Sequence, residues 1–301
     1  MGEVKRLDDR SWEVLLRRIR DGSCTPILGA GVYSDGASIR SNIARKWANE
    51  YNYPLTDGGD LARVARFLSV EFADAEYPAS QYVEELTKVA SPDFSNNVEP
   101  YTILADLPLP IYITTNYDSF MEQALVIRKR DVKMDYCRWM KTLDDPSHFT
   151  NGFQPDVANP AVFHLYGHAQ SQPSMVLSED DYFQFLINVS YEPHLIPTRI
   201  QKAISNTSLM LIGFSLEDWD FRILFHLLSG YLKKSTSKTH VAVQISPLTK
   251  EAPEELKKRA QSFFDKYFES RSPDIRVSWD TTQEFLRKLK ENWENSGYDN
   301  N

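Results

Sequence analysis

The stretch Ser208-Leu209-Met210-Leu211-Ile212-Gly213 is an apolar run that ends at a glycine, and it is the strongest candidate for a central strand. Short apolar runs bounded by turn residues predict buried strands, and amphipathic stretches predict the helices that cover them. The two alternate along this chain, which is typical of a parallel sheet covered by helices. We therefore predict an α/β fold with a doubly wound, Rossmann-like and mostly parallel sheet. The other six predicted strands span residues 25–28, 110–114, 132–137, 161–166, 240–245 and 274–278.

The longest break in this alternation lies between the first two predicted strands. Residues 37–50 and 60–90 both have helical patterns, and no strong strand separates them. We predict a single domain over residues 1–301, with a helical insertion at about residues 37–95 that covers the end of the first strand. The remaining predicted helices span residues 11–21, 117–126, 180–189, 197–205, 218–232, 251–269 and 282–293.

Composition narrows the classes of function. The 301 residues include 34 Lys and Arg against 42 Asp and Glu, which gives a formal net charge of −8. An acidic chain is a poor candidate for direct nucleic-acid binding, because phosphate contacts need clustered basic side chains. One short basic cluster, Arg128–Arg130, is explained more simply as a solvated helix end. With no signal peptide and no apolar run of about 18 residues, the sequence predicts a cytoplasmic protein without a membrane span.

The cysteine content excludes two kinds of stabilised fold. The chain has only two cysteines, Cys24 and Cys137, which lie far apart in the sequence. They form no CxxC pair, so neither a zinc ribbon nor a disulfide framework is expected. We predict that the protein holds no metal.

Two strand ends carry residues typical of a ligand crevice, which in doubly wound sheets lies beyond the carboxyl ends of the strands. The first strand runs into Gly29-Ala30-Gly31, where glycines let the backbone approach a pyrophosphate. The full GxGxxG pattern is absent, so a plain tight turn is an equally good explanation. The second strand ends in Thr114–Asp118 (Thr-Thr-Asn-Tyr-Asp), which places several hydrogen-bonding groups in the crevice. Thr115 or Asn116 could instead cap the next helix, with Asp118 at its positive end.

Two further strand ends add titratable groups and a glycine. If the fourth predicted strand stays regular, alternation points His164, Tyr166 and His168 to one side, where they could act as acid or base. Either histidine could equally be a hydrogen-bonded core residue, and two alternating histidines without a nearby carboxylate are a weak case for a metal. The central strand leads into Gly213 and Ser215, which could contact a nucleotide, and Ser215 could also cap the helix that follows.

Together, these four motifs resemble the sirtuin-like family, and most closely its bacterial branch found in antiphage defence. The segment 176–182 (Val-Leu-Ser-Glu-Asp-Asp-Tyr) is similar to a stretch that follows the histidine in that branch. The resemblance extends over about residues 22–285 and implies an NAD-binding domain. Gly29-Ala30-Gly31 match the loop that wraps the NAD phosphates. Asn116, next to Thr115, matches the asparagine that holds the ribose and the attacking water, and Asp118 matches the acid near the nicotinamide amide.

The resemblance leaves the catalytic base open. Gly213 and Ser215 match the loop that contacts the adenosine half of NAD. The usual histidine of the family stands immediately before a strand-end glycine, and Tyr166 occupies that position here, where it would face the cofactor. The base is then His164 or His168, which flank Tyr166, or the site works without one.

The resemblance also implies a reaction. Deacylating sirtuins carry a four-cysteine zinc module, which two cysteines cannot build. Hydrolysis of NAD+ to nicotinamide and ADP-ribose, without a metal, is therefore favoured. The implied role is an NAD-depleting effector in antiphage defence that is gated by assembly, as a homo-oligomer or with a HerA-type ATPase. The alternative is a regulatory subunit that binds NAD or ADP-ribose with little turnover.

Overall fold

The computed structural model describes residues 7–33, 38–214, 219–232, 241–245, 254–269 and 275–298. Its strands are β1 (Cys24–Leu28), β2 (Ile111–Thr114), β3 (Lys133–Tyr136), β4 (Ala161–His164), β5 (Ser208–Phe214), β6 (Val241–Ile245) and β7 (Ile275–Ser278). They form one sheet in the order β3-β4-β2-β1-β5-β6-β7, and every neighbouring pair is parallel. The predicted doubly wound α/β fold is confirmed.

Helices connect these strands and cover the sheet. They are α1 (Asp9–Arg20), α2 (Ile39–Glu50), α3 (Leu61–Glu71), α4 (Tyr77–Thr87), α5 (Pro100–Asp106), α6 (Phe120–Ile127), α7 (Glu179–Tyr191), α8 (Thr198–Asn206), α9 (Trp219–Leu232), α10 (Glu254–Glu269) and α11 (Thr282–Asn295). Among the residues that the structure describes, no helix is both long and apolar enough to cross a membrane.

The chain changes direction across the sheet at β1, which lies at its centre. From β1 it builds β2, β3 and β4 on one side, and it then returns to place β5 directly on the other side of β1. Leu28 is in register with Thr114 of β2 and with Ile212 of β5, so the carboxyl ends of these three strands lie side by side. A reversal of strand order of this kind leaves a crevice outside the carboxyl ends, where such folds bind ligands.

The helical insertion predicted at about residues 37–95, between β1 and β2, is present and contains α2, α3 and α4. The stretch 60–90 is two helices rather than one. Ala73 takes a left-handed φ of 49° just after α3, which a right-handed helix cannot continue through. α4 then begins directly before Pro78, whose fixed φ suits the first turn of a helix. The helix α5 is an addition to the sequence prediction.

The basic cluster Arg128–Arg130 follows the end of α6 and makes structural contacts. Arg128 pairs with the Asp106 carboxylate at the end of α5. Arg130 donates hydrogen bonds to the carbonyl oxygens of Leu107 and Leu109 at 3.0 and 2.7 Å. The interpretation as a solvated helix end is therefore wrong for Arg130, which fastens the connection between α5 and β2.

Candidate active site at the carboxyl ends of the central strands

The loop after β1 touches the end of β5 through backbone atoms. The Gly29 amide donates to the Ile212 carbonyl at 2.8 Å. A Cβ atom built on Gly29 would lie 2.6 Å from the Gly213 carbonyl oxygen, and one on Gly31 would lie 3.0 Å from the same atom. Gly213 has a φ of 76°, and its own Cβ would meet the Val32 nitrogen at 2.5 Å. Close backbone packing thus explains these glycines, and contact with a pyrophosphate stays a prediction.

The end of β2 is tied to the end of β1 by side chains. The Thr114 and Thr115 hydroxyls both donate to the Leu28 carbonyl at 3.3 Å. One residue further, the Asn116 side-chain amide donates to the Gly29 carbonyl at 3.0 Å. Asn116 is buried, with 5% of its surface exposed. The Gly-Ala-Gly loop and the Thr-Thr-Asn motif are therefore one connected structure.

The capping alternative applies only to Asp118. α6 begins at Phe120, and the Phe120 amide donates to Asp118 Oδ1 at 3.1 Å. The hydroxyl of Thr115 and the side-chain amide of Asn116 point to β1 instead. Asp118 is half-buried, and burial followed by the nearby charge of Glu122 raises the pKa of its carboxyl to about 6. The loop after β2 therefore carries a carboxyl group that titrates near neutral pH.

His164, the last residue of β4, is fully buried and uses both ring nitrogens. Its Nδ1 lies 2.8 Å from the Asn116 carbonyl oxygen, and its Nε2 lies 2.5 Å from Glu122 Oε1. A carbonyl oxygen can only accept, so Nδ1 carries a hydrogen. Burial opposes a charge on the ring, but the Glu122 carboxylate outweighs it and raises the pKa of His164. The geometry is that of an imidazolium paired with a carboxylate.

His168 lies next to His164 and is in the opposite protonation state. The two rings are 4.4 Å apart between centroids. His168 Nδ1 accepts from the Gln170 amide at 3.1 Å, so the ring hydrogen is on Nε2, which lies 2.9 Å from Ser119 Oγ. Burial and then the positive charge on His164 lower the pKa of His168 to about 4. His168 is therefore neutral at physiological pH.

Tyr166 does not join the two histidines. β4 ends at His164, two residues earlier than predicted, and Gly167 turns the chain with a φ of 86°. The Tyr166 ring packs edge-on against Phe185 of α7, at 5.1 Å between centroids, and is fully buried. The prediction that all three side chains lie on one side of β4 is therefore correct for the two histidines and wrong for Tyr166. Contact of Tyr166 with a cofactor stays a prediction.

Glu122, His164 and His168 lie close enough together to hold a cation, since one ligand atom from each falls within 4.8 Å of the others. Their hydrogen bonds describe another arrangement. His164 Nε2 faces Glu122 Oε1, and His168 Nε2 carries a hydrogen because the Gln170 amide occupies Nδ1. A metal on these three side chains would require the hydrogen bond from the Gln170 amide to His168 Nδ1 to break. A site without metal stays a prediction.

Residues 110–291 match the SIR2-like domain family, which is more than half of the chain. The chain belongs to this family. Over 219 residues it is also 22% identical to the NAD(+) hydrolase ThsA of Acinetobacter baumannii. That similarity covers 72% of this chain and 40% of ThsA, so the chain spans less than half the length of this relative.

The SIR2-like chain contains two buried charges at the site that the sequence patterns do not single out. Arg40 of α2 donates to the Thr115 carbonyl oxygen, and its guanidinium lies 4.8 Å from the centroid of the Tyr117 ring. The insertion therefore holds the loop after β2 in place. Glu122 lies in the first turn of α6 and is 8% exposed. One sequence signal could have identified Glu122: it is an acidic residue among the apolar residues of a short predicted helix.

One predicted contact of the SIR2-like site falls outside the described residues. Ser215 follows directly after β5, in the segment 215–218. Of the pair predicted to contact the adenosine half, only Gly213 can be placed, and it lies against the loop after β1.

Proposed function

We propose that this SIR2-like chain hydrolyses NAD+ at the bond between nicotinamide and ribose, and that it releases nicotinamide and ADP-ribose. The observation that carries the proposal is the position of Asn116. Its side chain reaches the loop after β1, its carbonyl oxygen faces His164, and it lies where the strand order reverses. Similarity to an NAD(+) hydrolase supports the same reaction.

In this proposal, NAD+ lies across the strand ends. Its pyrophosphate contacts the amides of the turn Gly29-Ala30-Gly31, and its adenosine half contacts Gly213 and Ser215. Thr115 and Asn116 border the ribose that carries nicotinamide. Tyr166 would approach the cofactor only after a shift of its ring away from α7.

The reaction needs positioning more than proton transfer. Nicotinamide leaves as a neutral molecule, so the protein has to place a water molecule and stabilise an oxocarbenium-like ribose. Asn116 orients the water at the anomeric carbon, and Asp118 accepts a hydrogen bond from the departing carboxamide. The bond from this carbon to the ring nitrogen breaks and a bond to the water oxygen forms. The proton passes to bulk water, or to His168 once its Nδ1 gives up the hydrogen bond from the Gln170 amide.

The direct test is nicotinamide release by the purified protein. We expect Asn116→Ala to reduce the rate by about 100-fold or more, because a misplaced water loses the benefit of orientation. Asn151→Ala is the matched control, since Asn151 is exposed in a turn of the connection between β3 and β4. Calorimetric titration with NAD+ separates loss of binding from loss of turnover. Equal rates for the two variants would contradict the assignment of Asn116.

A second candidate, a subunit that binds NAD or ADP-ribose with little turnover, has its own supporting observation. Tyr166 stands at the usual histidine position and is packed into the core. His164 carries hydrogens on both nitrogens in the paired state, and His168 has both nitrogens in hydrogen bonds. Tight binding of NAD+ without nicotinamide release, with candidate partners present, would favour this second function.

The biological setting is also a proposal. We infer a cytoplasmic, NAD-depleting effector of antiphage defence whose activity depends on a homo-oligomer or on a HerA-type ATPase, because the sequence resembles that branch of the family. Specific activity should then rise with protein concentration or on addition of the ATPase, in step with the mass measured by light scattering. Activity per chain that is the same for the isolated monomer and the assembly would contradict gating.

A further inference from the structure

We propose that Glu122 is a positioning residue, which fixes Asn116 through His164, and that His164 is a fixed support rather than the base of the reaction. This inference rests on the proposed function for its effect on turnover. Its structural part, the link from Glu122 to Asn116, can be tested without any activity.

The link is a continuous chain of hydrogen bonds across four elements. Glu122 Oε1 on α6 lies 2.5 Å from His164 Nε2 at the end of β4. His164 Nδ1 lies 2.8 Å from the carbonyl oxygen of Asn116 after β2. The Asn116 side chain then donates to the Gly29 carbonyl after β1, at 3.0 Å. The imidazole therefore sets where the Asn116 backbone lies, and the orientation of the ring depends on Glu122.

His164 has no other side-chain hydrogen bond to hold its ring among the described residues. With the ring nitrogen at Nε2 unpaired, the imidazole could rotate away from the Asn116 carbonyl. The contact with Glu122 is short, as expected where both groups carry charge. A base needs a free lone pair, and neither nitrogen of His164 offers one in this state.

The stability of the fold does not explain why position 122 is a glutamate. Its second carboxylate oxygen, Oε2, is buried and has no hydrogen-bond partner among the described residues. An unpaired buried acceptor is costly, and native structures contain few of them. An apolar side chain at this position would avoid that cost. The carboxylate is explained if the site needs its hydrogen bond to His164.

The test compares two substitutions of similar size at one position. Glu122→Gln keeps the hydrogen bond, because the Gln amide can donate to Nε2 of a neutral His164. Glu122→Leu removes the bond. We expect Glu122→Gln to lose no more than about 5-fold in kcat and Glu122→Leu to lose about 100-fold, since a small misplacement of a reacting group costs that much. KM for NAD+ should change little in either variant.

Each other outcome overturns the proposal. Equal losses in both variants would show that the carboxylate itself acts, as a base or as a metal ligand. Full activity in Glu122→Leu would show that the link has no function. Zinc in the purified wild-type protein at one equivalent per chain, with loss of activity on treatment with a chelator, would show a metal centre instead of a hydrogen-bonded link.

Two measurements protect the test from failure to fold and from failure of the proposed function. The double variant Glu122→Leu, His164→Phe replaces both charged partners by apolar groups, so neither is left as an unpaired buried charge, and only the Asn116 carbonyl loses its donor. It should fold and lose turnover like Glu122→Leu. If the wild type shows no turnover, amide hydrogen exchange at Asn116 decides. Exchange should be faster in Glu122→Leu than in Glu122→Gln, and equal exchange would overturn the link.

Discussion

Beyond the hydrogen bonds of the sheet itself, the ends of β1 and β5 pack backbone against backbone, whereas the ends of β2 and β4 are joined by side chains. In the first region, which we call the glycine contact, Gly29, Gly31 and Gly213 approach so closely that a Cβ atom would collide. In the second region, the polar network, His164 connects Asn116 to Glu122. Both regions lie at the same edge of the sheet, and the Asn116 side chain joins them at the Gly29 carbonyl.

The difference separates the requirements of folding from those of chemistry. The glycine contact is sterically determined, so a substitution there should change stability first and activity as a consequence. The polar network buries charges and, within the described part of the chain, offers Glu122 Oε2 no hydrogen-bond partner, which does not favour folding. A substitution in the network can therefore change turnover while the fold persists. The predictions below test this division.

The largest effect is expected for Gly213→Ala in the glycine contact. The new Cβ would lie 2.5 Å from the Val32 nitrogen, and the φ of 76° disfavours any residue with a Cβ. Left-handed strain and overpacking each cost about 1–3 kcal/mol, so we expect a loss of about 3–5 kcal/mol in the free energy of unfolding. Urea unfolding followed by circular dichroism measures it.

Two other glycines divide this cost into its parts. Gly29→Ala introduces the collision alone, because a Cβ there meets the Gly213 carbonyl oxygen at 2.6 Å without a left-handed φ. Gly152→Ala introduces the strain alone, because φ is 81° and nothing lies within 4 Å. Each should cost less than Gly213→Ala. If Gly152→Ala costs as much as Gly213→Ala, the close contact with Val32 contributes nothing and the glycine contact is not sterically determined.

The sheet can be predicted from the sequence because buried parallel strands are apolar runs. β5, the run quoted from Ser208, is buried along its whole length. The end of β4 cannot be predicted in this way. The chain turns at Gly167, where a Cβ would lie 2.0 Å from the Ser174 carbonyl oxygen, and a contact with the next loop is not visible in a local pattern. The short helix α5 is missed because seven residues carry little periodicity.

The candidate site divides in the same way. Asn116 and the two histidines lie at the end of a strand or shortly after it, so the topology alone brings them to one edge of the sheet. The role of His164 depends on Glu122, 42 residues away in the sequence, and the loop after β2 depends on Arg40, 75 residues before Thr115. Such pairs become visible only once the strand order is known. The protonation states of the two histidines depend on those pairs, so they could not be predicted from the sequence either.

A smaller effect is expected for Ser119→Ala in the polar network. Ser119 directly precedes α6 and makes no capping bond with its side chain, so the substitution affects mainly the hydrogen bond to His168. His168 Nε2–H would be left unpaired in a buried position, at a cost of about 1–2 kcal/mol. Ser95→Ala is the control, because it removes an exposed hydrogen bond to Asp93. Equal losses in the two variants would mean that Nε2 does not donate to Ser119.

The smallest effect, and the one with a pH signature, is expected for Asp118→Asn. The folded protein holds the proton of Asp118 up to a pKa of about 6, above the ordinary aspartate value of 3.8. The wild type therefore binds more protons folded than unfolded between these values, and its stability falls as the pH rises through that window. Asparagine has no such titration. At pH 7 the variant should be more stable by about 1 kcal/mol, a figure that allows for the partial exposure of the group.

The pH profile distinguishes this origin from a general change in packing. The stability difference between Asp118→Asn and the wild type should vanish below about pH 4 and level off above about pH 6, the limits set by the two pKa values. Asp144→Asn, the same change at an exposed position, is the control and should give only a small difference in stability. A stability difference that stays constant across this pH range would mean that it does not come from the titration of Asp118. A step between these pH values would show that the Asp118 carboxylate lowers the stability of the fold at neutral pH. The protein would then retain, at a cost in stability, the group that the proposed reaction uses to hold nicotinamide.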